Sequence, residues 1–145
     1  MFRVLDRLFS GKNKGRSSRA VLVIDPSVPD AVFVRKALRS RLFRVFTARE
    51  GGAGLQIAAQ ENPDLVVLEC VLPDMEGLEV CRIVRSNPRM KDIPVLFITA
   101  VQDGYLLLQC FGAGGDGFLN KPVSAAELIS EVEFILRKDN RCLRG

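Results

Sequence analysis

Three short apolar runs, separated by stretches with helical periodicity, constrain the fold of this chain more than any other feature. The runs are AVLVID at 20–25, LVVLE at 65–69 and PVLFIT at 94–99. Continuous runs rich in β-branched residues are typical of strands buried on both faces of a parallel sheet. FRVFTA at 43–48 and GFLN at 117–120 are weaker candidates for two further strands.

Helices are predicted between and after these strands, at 30–41, 52–61, 77–86, 104–112 and 124–138. Proline residues lie next to the ends of several of them, and Ser124 to Glu127 fits a capping box at the start of the last. Strand and helix therefore alternate five times. This order predicts an α/β fold with a five-stranded parallel sheet, helices on both faces and right-handed crossovers.

The chain divides into three parts. Its 145 residues are about one domain's worth. We predict a basic leader and linker at 1–19, a folded domain at 20–138 and a C-terminal tail at 139–145. The leader has apolar residues at helical spacing: Phe2, Leu5, Leu8 and Phe9. Such a segment suits an anionic membrane surface or a groove on a partner. The alternative is an extension that docks on the protein's own surface or stays unstructured.

Charge and composition exclude several classes of function. The net charge is +4, with +5 in residues 1–19 and −1 in the remainder, so the folded part is nearly neutral. We therefore expect no nucleic-acid partner. The chain has no His, which excludes His metal sites and His-assisted nucleophiles. It lacks a long apolar run and a secretory signal, so the expected location is cytoplasmic, with peripheral membrane attachment as an addition.

The cysteines do not form a metal-binding or disulfide pattern. None of the four lies in a C-x-x-C pair, and their neighbours are apolar. We expect reduced core thiols at Cys70, Cys81, Cys110 and Cys142.

Four polar side chains lie at or just after the predicted strands. Asp25, Glu69 and Thr99 end the first, third and fourth strands, and Lys121 follows the fifth. Open parallel sheets bind ligands outside the carboxyl ends of their strands, so these four residues mark the candidate site.

The sequence resembles the receiver domains of two-component response regulators, which have a CheY/flavodoxin-like (βα)5 fold. The resemblance covers about 20–138 and is carried by AVLVID, LVVLECVLPDMEGLEV, PVLFITA, GAGGDGFLNKP and SAAEL. It implies an acidic pair after strand one and an Asp after strand three that bind Mg²⁺. In the family, that Asp accepts a phosphoryl group from a histidine kinase. The resemblance also implies that Thr99 and Lys121 contact the phosphoryl oxygens and that Phe118 occupies the position of a switch aromatic.

Two positions depart from the family pattern. Glu69 stands where the family has its phosphoacceptor Asp, and Pro26 stands where the acidic pair continues after Asp25. The extra methylene of Glu displaces the carboxylate by roughly 1.3–1.5 Å, and a misplacement of about 1 Å can cost on the order of 10²-fold in rate. Mg²⁺ needs near-ideal octahedral oxygen geometry. We therefore expect weak or absent Mg²⁺ binding, and no other cofactor.

Each candidate residue also has a structural interpretation. Lys121 could be a solvated lysine beside a cis-proline turn, Thr99 could bond its own backbone, and Phe118 could be core. Glu69 could have drifted after activity was lost. Alternatively, its longer reach places a permanent negative charge near Lys121. In that case the two groups form a pair within about 4 Å.

The leading hypothesis is a non-enzymatic receiver-like module that signals through protein contacts without phosphorylation. We expect no output domain after the last predicted helix. Family analogy points to the surface of the fourth helix, fifth strand and fifth helix. The fourth helix includes YLLLQCF at 105–111, which is too apolar for Leu106, Leu107, Leu108 and Phe111 all to face the core.

Two alternatives belong to other functional classes. One is a competent receiver in a histidine-kinase phosphorelay, with Glu69 or Asp74 as the acceptor. The other is a flavodoxin-like cofactor enzyme. The segment DPSVP at 25–29 argues against the enzyme, because it has two prolines and no glycine to cradle a phosphate.

Overall fold

The computed structural model describes residues 19–139. The predictions for the leader at 1–18, for the tail at 140–145 and for Cys142 lie outside the described residues. The elements in chain order are β1 Ala20–Ile24, α1 Val28–Arg39, β2 Arg44–Ala48, α2 Gly51–Glu61, β3 Leu65–Leu68, α3 Gly77–Ser86, β4 Val95–Thr99, α4 Gly104–Gly112, β5 Gly117–Asn120 and α5 Ala125–Lys138.

The strands form one parallel sheet in the order β2-β1-β3-β4-β5, which confirms the predicted architecture. Alternate side chains of β1 and β3 point to opposite faces and build two cores. One core packs against α1 and α5, and the other packs against α2, α3 and α4. Because all strands are parallel, their carboxyl ends meet at one edge of the sheet.

Several predicted boundaries were wrong by one or two residues. We predicted a helix at 30–41, but α1 begins at Val28 because the Ser27 hydroxyl accepts a hydrogen bond from the Asp30 N–H. It ends at Arg39, where a turn follows. β1 and β3 end one residue earlier than predicted, so Asp25 and Glu69 lie just beyond their strands.

The remaining boundary corrections are equally small. β2 and β4 begin one residue later than predicted, at Arg44 and Val95, and α2 begins one residue earlier, at Gly51. The capping box at Ser124 is confirmed, which places the first residue of α5 at Ala125.

The described cysteines are buried and free, as predicted: Cys70, Cys81 and Cys110. Burial raises the pKa of the Cys81 thiol to about 11 and also raises the pKa of Cys70. Within residues 19–139, no helix combines the length and apolar character that crossing a membrane would require.

The turn between α1 and β2 holds a leucine in the left-handed region. Leu42 has a φ of 70°, and its side chain is 68% exposed. Its N–H donates to the Arg39 carbonyl and the Phe43 N–H donates to the Leu38 carbonyl, which closes the end of α1. The left-handed conformation costs an L-residue roughly 1–2 kcal/mol, and glycine avoids that cost.

We expect Leu42→Gly to raise the free energy of unfolding by about 1 kcal/mol, because it removes this conformational cost and loses little buried surface. Equilibrium urea unfolding measures the change. Leu42→Ala is the matched control, since it removes the same exposed side chain and keeps the Cβ. A gain in Leu42→Ala equal to that in Leu42→Gly would show that the backbone conformation is not the cause.

Candidate functional site

Three of the predicted site residues meet at the carboxyl edge of the sheet. Asp25 follows β1 and Glu69 follows the neighbouring β3, where its N–H donates to the Ile24 carbonyl. Lys121 follows β5, and its peptide bond to Pro122 is cis. The Lys121 side chain reaches back across the edge. Its Nζ lies 2.8 Å from Asp25 Oδ2 and 2.8 Å from Glu69 Oε1, so the predicted Glu69–Lys121 pair is confirmed.

A third carboxylate, which the sequence analysis missed, completes the cluster. Asp30 in the first turn of α1 places its Oδ2 2.8 Å from Lys121 Nζ. Lysine has three N–H donors, and each of its contacts here is to a different carboxylate. The signal in the sequence was the position of Asp30, five residues after Asp25 in a helix that begins at the same edge. We call Asp25, Asp30, Glu69 and Lys121 the ion cluster.

The carboxylates of Asp25 and Glu69 are also held by backbone N–H groups. Asp25 Oδ1 accepts a hydrogen bond of 2.9 Å from Ser27. Glu69 Oε2 accepts hydrogen bonds from the two peptides that follow it, at 2.6 Å from Cys70 and 3.2 Å from Val71. The extra methylene of Glu69 therefore lets the side chain fold back onto the loop while its other oxygen reaches Lys121.

The start of α3 fixes the loop that holds Glu69. Gly77 donates its N–H to the Cys70 carbonyl at 2.9 Å. A Cβ at Gly77 would overlap the carbonyl oxygen of Glu69 and the Cα of Cys70. Only glycine allows α3 to approach the end of β3 this closely, so Gly77 positions the peptides that bind the Glu69 carboxylate.

The ion cluster is largely shielded from solvent. Asp25 is 5% exposed and Glu69 is 8% exposed, whereas Asp30 is half-exposed. Burial opposes the charge of Lys121, but its hydrogen bonds to the three carboxylates outweigh burial and raise its pKa. The hydrogen bond from Lys121 lowers the pKa of Asp30. At neutral pH the cluster thus contains three carboxylates and one ammonium, an excess of two negative charges.

The other predicted site residues have structural contacts. Thr99 is fully buried, and its Oγ1 accepts a hydrogen bond of 3.3 Å from the Val101 N–H. Phe118 is half-buried against the core beneath α2, α3 and α4. Asp74 accepts hydrogen bonds of 2.8 Å from Gly51 and Gly52, so it caps the start of α2. Backbone hydrogen bonds from these two glycines lower the pKa of Asp74.

The ion cluster does not fit a resident Mg²⁺. Pro26 brings no side-chain oxygen, and the Lys121 ammonium lies 2.8 Å from one oxygen of each carboxylate, where a cation would otherwise bind. Among residues 19–139, no buried side-chain nitrogen or oxygen lacks a hydrogen-bond partner. The same part of the chain has no group of three His, Cys, Asp or Glu side chains arranged for a metal ion.

α4 exposes an apolar surface, as its sequence predicted. Tyr105 and Leu108 are each 68% exposed, Phe111 is 47% exposed, and Leu106 and Leu107 are half-buried. Tyr105, Leu108 and Phe111 are spaced three residues apart, which places them on one side of the helix. We call these three residues the α4 surface.

Comparison with known proteins agrees with the fold. The profile of the response regulator receiver domain matches residues 21–133. The chain is 34% identical over 123 residues to the DNA-binding dual master transcriptional regulator RpaA of Synechocystis, covering 83% of the chain and 50% of RpaA. It is 31% identical over 120 residues to the response regulator PleD of Caulobacter vibrioides, covering 83% of the chain and 26% of PleD. The chain therefore spans half or less of these relatives.

Solved structures show the same fold. A protein assigned as a response regulator from Chloroflexus aurantiacus has a TM-score of 0.80 and 30% identity, with 83% of this chain and 99% of that chain covered. The chemotaxis protein CheY4 of Vibrio cholerae has a TM-score of 0.78 and 24% identity, with 81% and 98% covered. From the match of its sequence and its sheet order, we conclude that this chain belongs to the response regulator receiver domain family.

Proposed function

We propose that this chain is a non-enzymatic signalling module of the receiver family that acts through protein contacts without being phosphorylated. The observation that carries the proposal is the use of all three Lys121 N–H groups by the carboxylates of Asp25, Asp30 and Glu69. An ammonium in this state has no donor left for a phosphoryl oxygen. The acceptor position is therefore closed by the protein's own charges.

Electrostatics supports the same proposal. Phosphoryl transfer depends on in-line placement and on cations that neutralise the developing charge. The ion cluster has two excess negative charges, and Pro26 supplies no ligand that would help to bind Mg²⁺. A phosphodonor dianion would meet net repulsion at this edge.

The α4 surface is the proposed site of partner binding. Large aromatic and aliphatic side chains are the usual anchors of protein interfaces. Tyr105, Leu108 and Phe111 supply such anchors on one side of α4, and the charged ion cluster lies at the end of the sheet from which α4 starts. A protein partner at the α4 surface fits a cytoplasmic module that transmits its state by contact.

The test is incubation of the full chain with acetyl phosphate and Mg²⁺ at neutral pH, followed by intact mass spectrometry. We expect no species heavier by one phosphoryl group, because the acceptor is displaced and the metal site lacks a ligand. A receiver domain with an Asp acceptor, treated in parallel, shows that the reagent and the readout work.

A stoichiometric gain of phosphoryl mass would instead make the chain a competent receiver and would contradict the proposal. The variant Glu69→Gln then identifies the acceptor. Loss of the label in this variant would assign phosphorylation to Glu69, and survival of the label would point to the other candidate, Asp74.

A further inference from the structure

Basic side chains are concentrated at one end of the fold. Residues 35–44 contain five basic side chains and no acidic one, although the folded part as a whole is nearly neutral. Exposed basic side chains of this segment lie near the end of α1 and in the turn that follows it. The last turn of α5 contributes two further exposed basic side chains. We call these residues the basic end: Lys36, Arg39, Arg41, Arg137 and Lys138.

Topology places these residues together. Each helix of a parallel α/β fold returns the chain to the end of the sheet where the next strand begins. The last turns of α1 and α5 therefore lie at the end opposite the ion cluster. Both helices pack on the same face of the sheet and contact each other. The basic residues of α1 and α5 thus lie together at the end opposite the ion cluster, whereas the acidic residues at that end, Glu61, Asp92 and Asp116, precede β3, β4 and β5.

Exposed apolar side chains accompany the basic end. Leu42, held outward by its left-handed backbone, directly follows Arg41 and is 68% exposed. Phe33 lies one helical turn before Lys36 and is 42% exposed. Phe134 is 44% exposed and has Lys138 Nζ 4.6 Å from its ring centroid. Basic side chains interspersed with aromatic and aliphatic ones are typical of protein surfaces that bind the membrane interface.

The first and last described residues lie at the same end of the fold. Arg19 precedes β1, and Asp139 follows α5. Residues 1–18 carry a net charge of +4, and residues 140–145 carry +2. Four charged residues at this end already have interactions within the fold and are not assigned to the surface: Arg19, Arg44, Asp64 and Asp139.

We propose that the basic end of the folded domain binds the surface of an anionic phospholipid membrane, with Leu42, Phe33 and Phe134 at the lipid interface. α1 and the α4 surface lie on opposite faces of the sheet, so membrane binding leaves α4 available to a partner. The proposal does not depend on the state of the ion cluster.

The test is sedimentation of the full chain with vesicles that contain 30% phosphatidylserine in phosphatidylcholine, compared with pure phosphatidylcholine. We expect binding only to the anionic vesicles, and release at high salt. The variant Lys36→Gln/Arg39→Gln/Arg41→Gln should lower the partition coefficient at least about tenfold. The matched control Arg82→Gln/Arg89→Gln/Lys91→Gln removes the same charge from exposed sites in α3 and the loop after it. These sites lie on the face of the sheet opposite α1 and α5, so the control should change binding less than about threefold.

Arg39→Lys/Arg41→Lys should keep the binding of the unmodified chain, because the charge is preserved. Thermal unfolding of each variant verifies that these exposed substitutions leave the fold intact. Equal losses of binding in the two triple variants would show that only net charge matters and would overturn the proposal. Failure of the unmodified chain to bind anionic vesicles, including a case in which it binds an acidic protein or DNA instead, would overturn it as well.

Discussion

Replacing Lys121 with methionine is expected to lower the free energy of unfolding by about 2–4 kcal/mol, because it leaves nearby carboxylates without their shared counterion. Methionine keeps much of the volume of the side chain, so the change isolates the charge. Two of the three carboxylates are almost fully buried, which is why the loss exceeds that of a surface ion pair. Equilibrium urea unfolding at pH 7 measures the difference.

Lys91→Met is the matched control for this substitution. Lys91 is exposed on the loop before β4, and its replacement should change the free energy of unfolding by less than about 0.5 kcal/mol. Adding Asp30→Asn to Lys121→Met should restore part of the stability, since one of the repelling charges is removed. A Lys121→Met protein as stable as the unmodified chain would show that the ion cluster does not hold the site.

The pH dependence of this loss follows from the pKa shifts. Lys121 has a pKa above its ordinary 10.5, so its contribution to stability is present below that pH and is lost as the pH rises through the folded value. Asp30 has a pKa below its ordinary 3.8, so its contribution is present above that pH and is lost in acid. The difference between the unmodified chain and Lys121→Met should therefore shrink in acid, where the carboxylates are protonated, and in strong alkali, where Lys121 loses its charge.

Removal of the ammonium should also create a cation site. Three carboxylate oxygens, from Asp25, Asp30 and Glu69, each lie 2.8 Å from the position of Lys121 Nζ. Ca²⁺ accepts oxygen ligands at about 2.3–2.6 Å in flexible geometry, so small movements bring these oxygens into range. We expect millimolar Ca²⁺ to raise the unfolding midpoint of Lys121→Ala, whose short side chain leaves this position open, and to leave that of the unmodified chain unchanged.

The fold and most of the ion cluster could be predicted from the sequence because they depend on simple periodicities. Runs such as AVLVID are recognisable as strands since both of their faces are buried, and strand order then brings Asp25 and Glu69 to one edge. The capping box at Ser124 is equally local. Each of these features depends on the type and spacing of neighbouring residues.

The features that could not be predicted depend on the direction of side chains in space. Asp30 lies in the first turn of α1 because this helix starts two residues earlier than predicted, and from there its carboxylate reaches Lys121. Asp74 caps α2 because the loop after β3 lies beside the start of that helix. The basic end was missed for a different reason. The net charge of the folded part sums to nearly zero, and this sum conceals the local cluster of basic side chains near the ends of α1 and α5.

Restoring the two acidic residues should convert the closed site into a phosphorylatable one. In Pro26→Asp/Glu69→Asp, the shorter side chain at position 69 loses its reach to the loop peptides and to Lys121. The new carboxylate at position 26 adds a ligand for Mg²⁺ beside Asp25. We expect the double variant to gain one phosphoryl group from acetyl phosphate in the presence of Mg²⁺, whereas the unmodified chain gains none. Intact mass spectrometry with and without Mg²⁺ measures the change.

The single variants separate the two contributions. Glu69→Asp alone should label much less than the double variant, because the metal that neutralises the transferred charge is still short of a ligand. Pro26→Asp alone should remain unlabelled, since its acceptor is still displaced by about 1.3–1.5 Å. The amount of phosphoryl label should also depend on Asp30, because its carboxylate competes for the Lys121 ammonium in every variant. Adding Asp30→Asn should therefore increase labelling of the double variant, and a decrease would show that Asp30 serves as a metal ligand rather than a competitor.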